Sequence, residues 1–572
     1  MAMGVPMPVK TLFAKFSDQT KSKGKDMSQQ KQESGNMTVD RRMFMLTALA
    51  AGSVAAGVSS VVNAQVAQTP NSSEGLSPVV ETALGNIRGA KRDRVFSFKG
   101  VPYAATTAGG GRFQPPVAHA GWSGVRDTLE LGPRCPVPQS TAQAEFVVMD
   151  RREPAGEDCL CLNVWTAGLG DGGKRPVMVW LHGGGFRGGS AGHRCYDGTN
   201  LANKHDVVVV GVNHRVNVWG YLYLAGLGHP QFEQAGNVGM LDIVASLQWV
   251  RDNIERFGGD PGNVTVFGQS GGGSKVSTLL GMPAARGLFH RGIAMSGSQV
   301  TSISTDDATK TAERFLSALK IRPDQAEKVL DIPYYDIRDI ANAQPFNWGP
   351  VMDGKTIPAH NFDPVATPIS ADVPLMIGSM ETEVTWNTDQ QYDPLDDATL
   401  QVMAQRALRT DAEQARRVVS VYKAGRPQAS NLDLYLILAS DVSGFRTGTD
   451  TQAERKAALG RAPVYKYYFD WYSPVAGGNL RSMHTMDIPF FFDDVKTSVS
   501  LIGDSPELQD MADKVSAAIV AFARTGNPNA PGLPQWDAFD GNRRATMFIN
   551  PSMRLVNDPY REERLARTAA LL

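Results

Sequence analysis

The setting best suited to chemistry in this chain is that of Ser270, in Val264-Thr265-Val266-Phe267-Gly268-Gln269-Ser270-Gly271-Gly272-Gly273. A β-branched and aromatic run makes a buried strand, and it ends directly in Gly-x-Ser-x-Gly, where glycine permits a turn too tight for side chains. A helix is expected from about Ser274 onward. A serine on such a strand-to-helix elbow is pushed out of the sheet with its hydroxyl exposed, as a nucleophile requires. The motif alone is weak, because the chain holds 57 glycines and most chance matches would be ordinary turns. A second signal stands upstream in Val177-Met178-Val179-Trp180-Leu181-His182-Gly183-Gly184-Gly185-Phe186, again a buried strand ending in glycines. Acyl transfer passes through a tetrahedral oxyanion, and backbone N–H groups fixed at about 3 Å from it supply much of the rate. Either motif alone reads equally well as a loop that needs positive φ. Together, on strands of one α/β pattern, they point to a hydrolase.

The elements that must position these motifs alternate strand and helix. Strand candidates are Cys159–Trp165, Pro176–Leu181, Val207–Val212, Val264–Phe267, Gly292–Met295, Pro374–Ile377 and Val464–Phe469. Several are continuously apolar, as strands buried on both faces must be. Between them Gly239–Phe257 reads as a helix, with Ile243, Leu247, Val250 and Ile254 on one face. Ser77 to Val101 reads as short antiparallel strands. Residues 305–345 and 395–460 are richer in charge and helix formers and are expected to form helical insertions that cap the sheet.

The 572 residues are 42% hydrophobic with a formal net charge of −1, ample for a large core. Three segments are expected. Residues 1–36 are polar and Lys/Ser/Gln-rich and read as a disordered extension, with Met37 an alternative start; residues 37–64 read as an export signal; residues 65–572 read as one catalytic domain. The signal is of twin-arginine type: Arg41-Arg42, an Ala/Val/Leu run to Val62, and the small-x-small site Val62-Asn63-Ala64. Export to the periplasm or beyond follows, with removal of the signal preferred over anchoring. No basic tract after residue 64 suits nucleic acid or an anionic membrane, and no later stretch is long and apolar enough to span one. The cysteines are Cys135, Cys159, Cys161 and Cys195; none stands in a zinc-like spacing, so no metal is expected.

These signposts together resemble the type-B carboxylesterase family, the branch of the α/β-hydrolase fold that includes cholinesterases. The matching segments run from about residue 78 to about residue 550 and include Phe98-Lys99-Gly100-Val101-Pro102-Tyr103, Gly156-Glu157-Asp158-Cys159-Leu160, Asn213-His214-Arg215-Val216, Gly236-Asn237-Val238-Gly239, Pro350-Val351-Met352-Asp353-Gly354 and His484-Thr485-Met486-Asp487-Ile488-Pro489-Phe490. The resemblance implies a mostly parallel sheet flanked by helices, with insertions capping a gorge, and a Ser–Glu–His triad in that chain order. It puts the nucleophile at Ser270, the base at His484 and the acid at Glu383, with Glu381 a rival two residues away. It further implies oxyanion donors at the N–H groups of Gly184, Gly185 and Gly271, where relatives usually carry alanine at the last position. A disulfide Cys135–Cys159 is implied; Cys161 and Cys195 have no counterpart in the family and read as two free buried thiols or as a second bridge. His182 is expected to brace the oxyanion loop, and Arg215–Asp242 and Arg112–Glu157 to form ion pairs. The chemistry needs no cofactor: a base takes the serine proton while a buried carboxylate orients the imidazole.

The resemblance implies a small-molecule ester as the substrate. Cholinesterases hold a cation with an aromatic ring in the first cysteine loop and a glutamate before the nucleophile. This chain has Gln269 at that glutamate position and Met149 near the ring position, with no tryptophan between Cys135 and Cys159, which disfavours choline esters. By the same resemblance Phe346, Trp348 and Trp386 line the acyl pocket and gorge, or else serve as core. Arg187 follows the oxyanion loop, with Arg194 seven residues on, and arginine suits bidentate capture of a carboxylate. That favours an anionic, polycarboxylate acyl group, of which fumonisin-type esters are one instance, unless Arg187 pairs with a neighbouring acid. The alternatives are a catalytically silent cholinesterase-like binding protein and an amide or carbamate hydrolase using the same site. Oligomeric state is not readable from the sequence.

Overall fold

A computed structural model describes residues 74–137, 153–385 and 394–571. The expected N-terminal extension and export signal lie outside the described residues, as do Met149 and Trp386. One 13-stranded mixed sheet organises the chain. In chain order its strands are β1 (Glu74–Thr82), β2 (Gly85–Arg92), β3 (Val95–Pro102), β4 (Val125–Asp127), β5 (Cys161–Thr166), β6 (Arg175–Leu181), β7 (Val208–Val212), β8 (Gly259–Gln269) and β9 (Arg291–Met295). A separate parallel pair, β10 (Ile303–Ser304) and β11 (Val351–Met352), precedes β12 (Leu375–Met380), β13 (Val464–Phe469), β14 (Thr546–Ile549) and β15 (Arg554–Val556).

The centre of the sheet runs β7-β6-β8-β9-β12-β13-β14, every neighbour parallel. Antiparallel strands β1, β2, β3 and β5 extend one side, and β15 closes the other. β5, β7 and β13 are buried at every position. Alternate side chains of each strand therefore enter two separate cores. Val177, Val179 and Leu181 of β6 join one, while Met178 and Trp180 join the other, where the Trp180 ring meets Phe267 of β8 and Phe492, each at 4.9 Å. That double burial explains the unbroken apolar runs seen in the sequence.

The helix expected over Gly239–Phe257 spans Val238–Asn253 and tightens into a 3₁₀ turn at Ile254–Phe257. Both charged regions are helical. Residues 397–458 hold four helices, of which the first three share a small core of their own around Leu400, Leu408, Val418, Tyr422 and Leu438. The architecture is the α/β-hydrolase fold. Among the described residues no helix is long and apolar enough to cross a membrane.

The cysteines depart from expectation. All four are buried free thiols, so the bridge Cys135–Cys159 is not formed. The Cys135 sulfur accepts from the Val216 N–H at 3.4 Å, and the adjoining Cys135 thiol together with burial pushes the Cys159 thiol well above its ordinary pKa. The two thiols are thus neighbours without a covalent link.

Candidate active site

In a sheet of this kind ligands bind beyond the carboxyl ends of the parallel strands. The sequence candidates gather there. β8 ends at Gln269, and Ser270 follows with φ 58° and ψ −125°, a conformation that side chains rarely adopt and that the surroundings must enforce. Its N–H donates to the Met295 carbonyl at the end of β9 at 2.8 Å, and the helix Gly271–Leu279 starts at once. The elbow depends on missing side chains: a methyl on Gly268 would lie 2.6 Å from the Leu181 oxygen, and one on Gly272 would lie 1.9 Å from it. The Gly271 N–H is the first of the helix, one of the donors that a helix leaves without an internal partner.

β6 delivers the second motif. Gly184 and Gly185 take φ of 91° and 62°, and the turn is closed by Arg187 and Gly188 N–H groups donating to the Gly184 carbonyl. Asn217 fastens the loop from outside, its N–H to the Phe186 oxygen at 2.6 Å and its side-chain amide to the Arg187 oxygen at 3.1 Å. His182 Nδ1 bonds the Gly183 carbonyl at 2.9 Å, and its ring stacks on His214 with centroids 4.5 Å apart. Burial holds His182 well below its ordinary pKa, so it is a neutral brace for the loop.

Beyond β12 and β13 lie the acid and base candidates. His484 Nδ1 donates to Glu383 Oε2 at 2.6 Å, with the imidazole 4% exposed and the carboxylate fully buried. The other oxygen of Glu383 accepts the Met380 N–H at 2.8 Å, which fixes the carboxylate plane. The ring of Phe445 packs on the imidazole at 4.5 Å. The Gln269 amide stands 3.2 Å from His484 Nε2, so the residue just before the nucleophile reaches the imidazole rather than the gorge. Glu381 turns away, paired with Arg426 at 2.6 Å and bonded by the Tyr468 hydroxyl. Other histidines serve local bonds: His119 to the Gly121 N–H, His205 to Ser516, His229 to the Pro323 oxygen, His290 to the Val264 N–H and His360 to the Ser302 N–H.

The ion pairs Arg215–Asp242 and Arg112–Glu157 are present, each with a contact of 2.6 Å. Phe346 and Trp348 are buried and pack on each other and on Phe315, so the structure puts both rings in the core. Phe346 offers its carbonyl instead, 2.6 Å from an Arg187 guanidinium nitrogen. Among the described residues no carboxylate is paired with Arg187, whose guanidinium is partly shielded from water, which lowers its pKa from the ordinary value. No cluster of the described residues could hold a metal ion. Lys275, Phe445 and the inward turn of Gln269 carried no signal in the sequence motifs.

Residues 76–568 match the model of the carboxylesterase family. The chain belongs to that family. It is 31% identical over 503 residues to a para-nitrobenzyl esterase of Bacillus subtilis, covering 85% of this chain and 97% of the relative. It is 32% identical over 489 residues to a phenmedipham hydrolase of Pseudarthrobacter oxydans, covering 82% and 95%. Among solved structures a carboxylesterase of Geobacillus stearothermophilus superposes with a TM-score of 0.74 at 36% identity, over 86% of this chain and all of that one. An esterase of Clostridium hathewayi, described as able to hydrolyse aliphatic aromatic polyesters, gives 0.76 at 33% identity over 88% of this chain and 100% of its own. By family and relatives this carboxylesterase is a carboxylic-ester hydrolase.

Proposed function

We propose that ester cleavage here runs through an acyl-serine at Ser270. The observation that carries this reading is the 2.6 Å bond from His484 Nδ1 to the buried Glu383, beside the elbow that presents Ser270. Glu383 fixes the tautomer with the proton on Nδ1, so that His484 Nε2 can take the serine proton once the Gln269 amide, 3.2 Å from it, gives way to the Ser270 hydroxyl. The serine oxygen attacks the ester carbonyl, and the oxyanion is met by the N–H groups of Gly184, Gly185 and Gly271. His484 then gives the proton to the departing alcohol. Water repeats the sequence on the acyl-serine, releasing the acid and restoring the hydroxyl. Ser270→Ala should cut kcat by several orders of magnitude and leave the melting temperature in place. More than about a hundredth of wild-type activity in a clean preparation would refute the assignment.

The acyl group we propose is anionic. Arg187 supports this: it follows the oxyanion loop, carries a permanent charge, and bonds a backbone carbonyl rather than an acid among the described residues. Esters of di- or tricarboxylic acids should lose about tenfold or more in kcat/KM on Arg187→Ala, the loss expected for one charge-assisted contact, while neutral esters change little. Equal losses for both would leave a general esterase. Export is part of the same proposal, on the strength of the twin-arginine segment. Full-length protein expressed in a bacterial host and found wholly in the cytoplasm after fractionation would count against it.

A further inference from the structure

Lys275 lies five residues beyond the nucleophile in the helix Gly271–Leu279 and is fully buried. Its ammonium donates to two main-chain oxygens, of His182 at 3.1 Å and of Gly185 at 2.7 Å, and lies 5.3 Å from the centre of the Phe186 ring. Among the described residues no carboxylate is paired with it. Burial pushes the ammonium down to about 7. A buried ammonium without a counter-charge opposes folding, and a methionine of similar length would pack there without that cost. What the lysine adds is a grip on the loop. Its two acceptors bracket Gly183–Gly185, the segment whose N–H groups are assigned to the oxyanion.

The opposite wall of that segment is Gly271. A methyl on Gly271 would lie 2.2 Å from the Gly185 oxygen and 2.4 Å from the Gly185 nitrogen. Those are distances that real side chains do not tolerate, so the loop rests on a bare α-carbon. The absent side chain at Gly271 lets the loop come down, and Lys275 holds it there.

We propose that Lys275 is a positioning residue for the oxyanion hole: by holding the His182 and Gly185 carbonyls it seats the Gly183–Gly185 segment on Gly271, so that the N–H groups of Gly184, Gly185 and Gly271 converge. The proposal rests on the catalytic reading of Ser270 and these glycines. It predicts a defect in the transition state and not in substrate binding. In the full chain, Lys275→Met should lower kcat on a neutral p-nitrophenyl ester by about 30-fold or more, since a single oxyanion donor is worth roughly a hundredfold. KM should stay within about threefold, as expected when ground-state binding is untouched. The inhibition constant of phenylboronic acid, which forms a tetrahedral adduct on the serine, should rise by the same factor as kcat falls. Gly271→Ala should produce the same pattern, and the double variant should be no worse than the poorer single one, because one contact is being broken twice. Lys275→Gln, one atom shorter and uncharged but still a donor, should fall between wild type and Lys275→Met.

Unchanged kcat and boronate affinity in Lys275→Met, or equal changes in kcat and KM with additivity in the double variant, would overturn the proposal. Should Lys275→Met not fold, Lys275→Gln carries the test alone, and wild-type values there overturn it equally. Ser270→Ala is assayed alongside. If that variant stays active, the nucleophile assignment has failed; if it is dead while Lys275 variants are normal, only the positioning role has.

Discussion

Glu381 and Glu383 are both buried glutamates past the end of β12, and only one of them touches the imidazole. The strand stops at Met380, so the alternation that would sort the two by face stops before either is reached. That is why the sequence left them as rivals. Their partners separate them now: Glu383 is held by the Met380 N–H against His484, while Glu381 is bound to Arg426, which also bonds Glu563. Glu383→Gln should lower kcat by about 10⁴, because a neutral amide neither holds the productive tautomer nor stabilises the imidazolium. Glu381→Gln should keep kcat within about threefold and show its effect in the melting temperature, through a weakened buried ion pair. The measurement is kcat per titrated serine for both variants. A dead Glu381→Gln beside an active Glu383→Gln would reverse the roles.

The elements were easier to read than the side chains between them. Val464–Phe469 matches β13 residue for residue, because its β-branched and aromatic residues mark a strand even though Lys466 interrupts them, a lysine buried in the strand and paired with Asp450. β4, Thr546–Ile549 and Arg554–Val556 were missed: they are three or four residues long, and β4 is exposed at every position, so no periodicity can accumulate. The elbow was legible for a different reason, since glycine at fixed offsets records where a neighbouring backbone comes close. Those offsets are testable as packing. A methyl on Gly272 would lie 1.9 Å from the Leu181 oxygen and meets β6 where the oxyanion loop begins, whereas one on Gly110 would meet nothing within 4 Å. Gly272→Ala should therefore destabilise by about 3 kcal/mol or more, as overpacking against a rigid backbone does, and lose activity with it. Gly110→Ala should melt within about a degree of wild type, as an unobstructed surface change does. Denaturant titration of the two variants side by side checks both, and a Gly272→Ala protein of wild-type stability would mean that the elbow is looser than its geometry.

At the scale of the whole molecule the sheet divides the interior into two cores, and the second of them encloses a carboxyl group that no sequence pattern marked as buried. Asp487 stands three residues after His484, fully buried, with the Tyr467 hydroxyl donating to it at 2.9 Å. Burial pushes its carboxyl up to about 7, with Glu383 adding to the rise. The consequence for stability has a definite sign. A carboxyl whose pKa is higher in the folded chain than in the unfolded one (about 4) keeps its proton longer when folded. Its favourable contribution is complete below about pH 4, is lost progressively as pH rises toward 7, and stays lost above that. Asp487→Asn keeps an acceptor for Tyr467 and cannot ionise. Relative to wild type its melting temperature should therefore rise with pH between 4 and 7 and then level off, whatever constant offset the amide introduces. Thermal scans of both proteins at half-unit steps from pH 4 to pH 9 measure that difference directly. A flat difference across the range would mean that Asp487 ionises normally within the core. A difference that falls with pH would mean that the charged carboxylate is stabilised there, contrary to the burial argued for it.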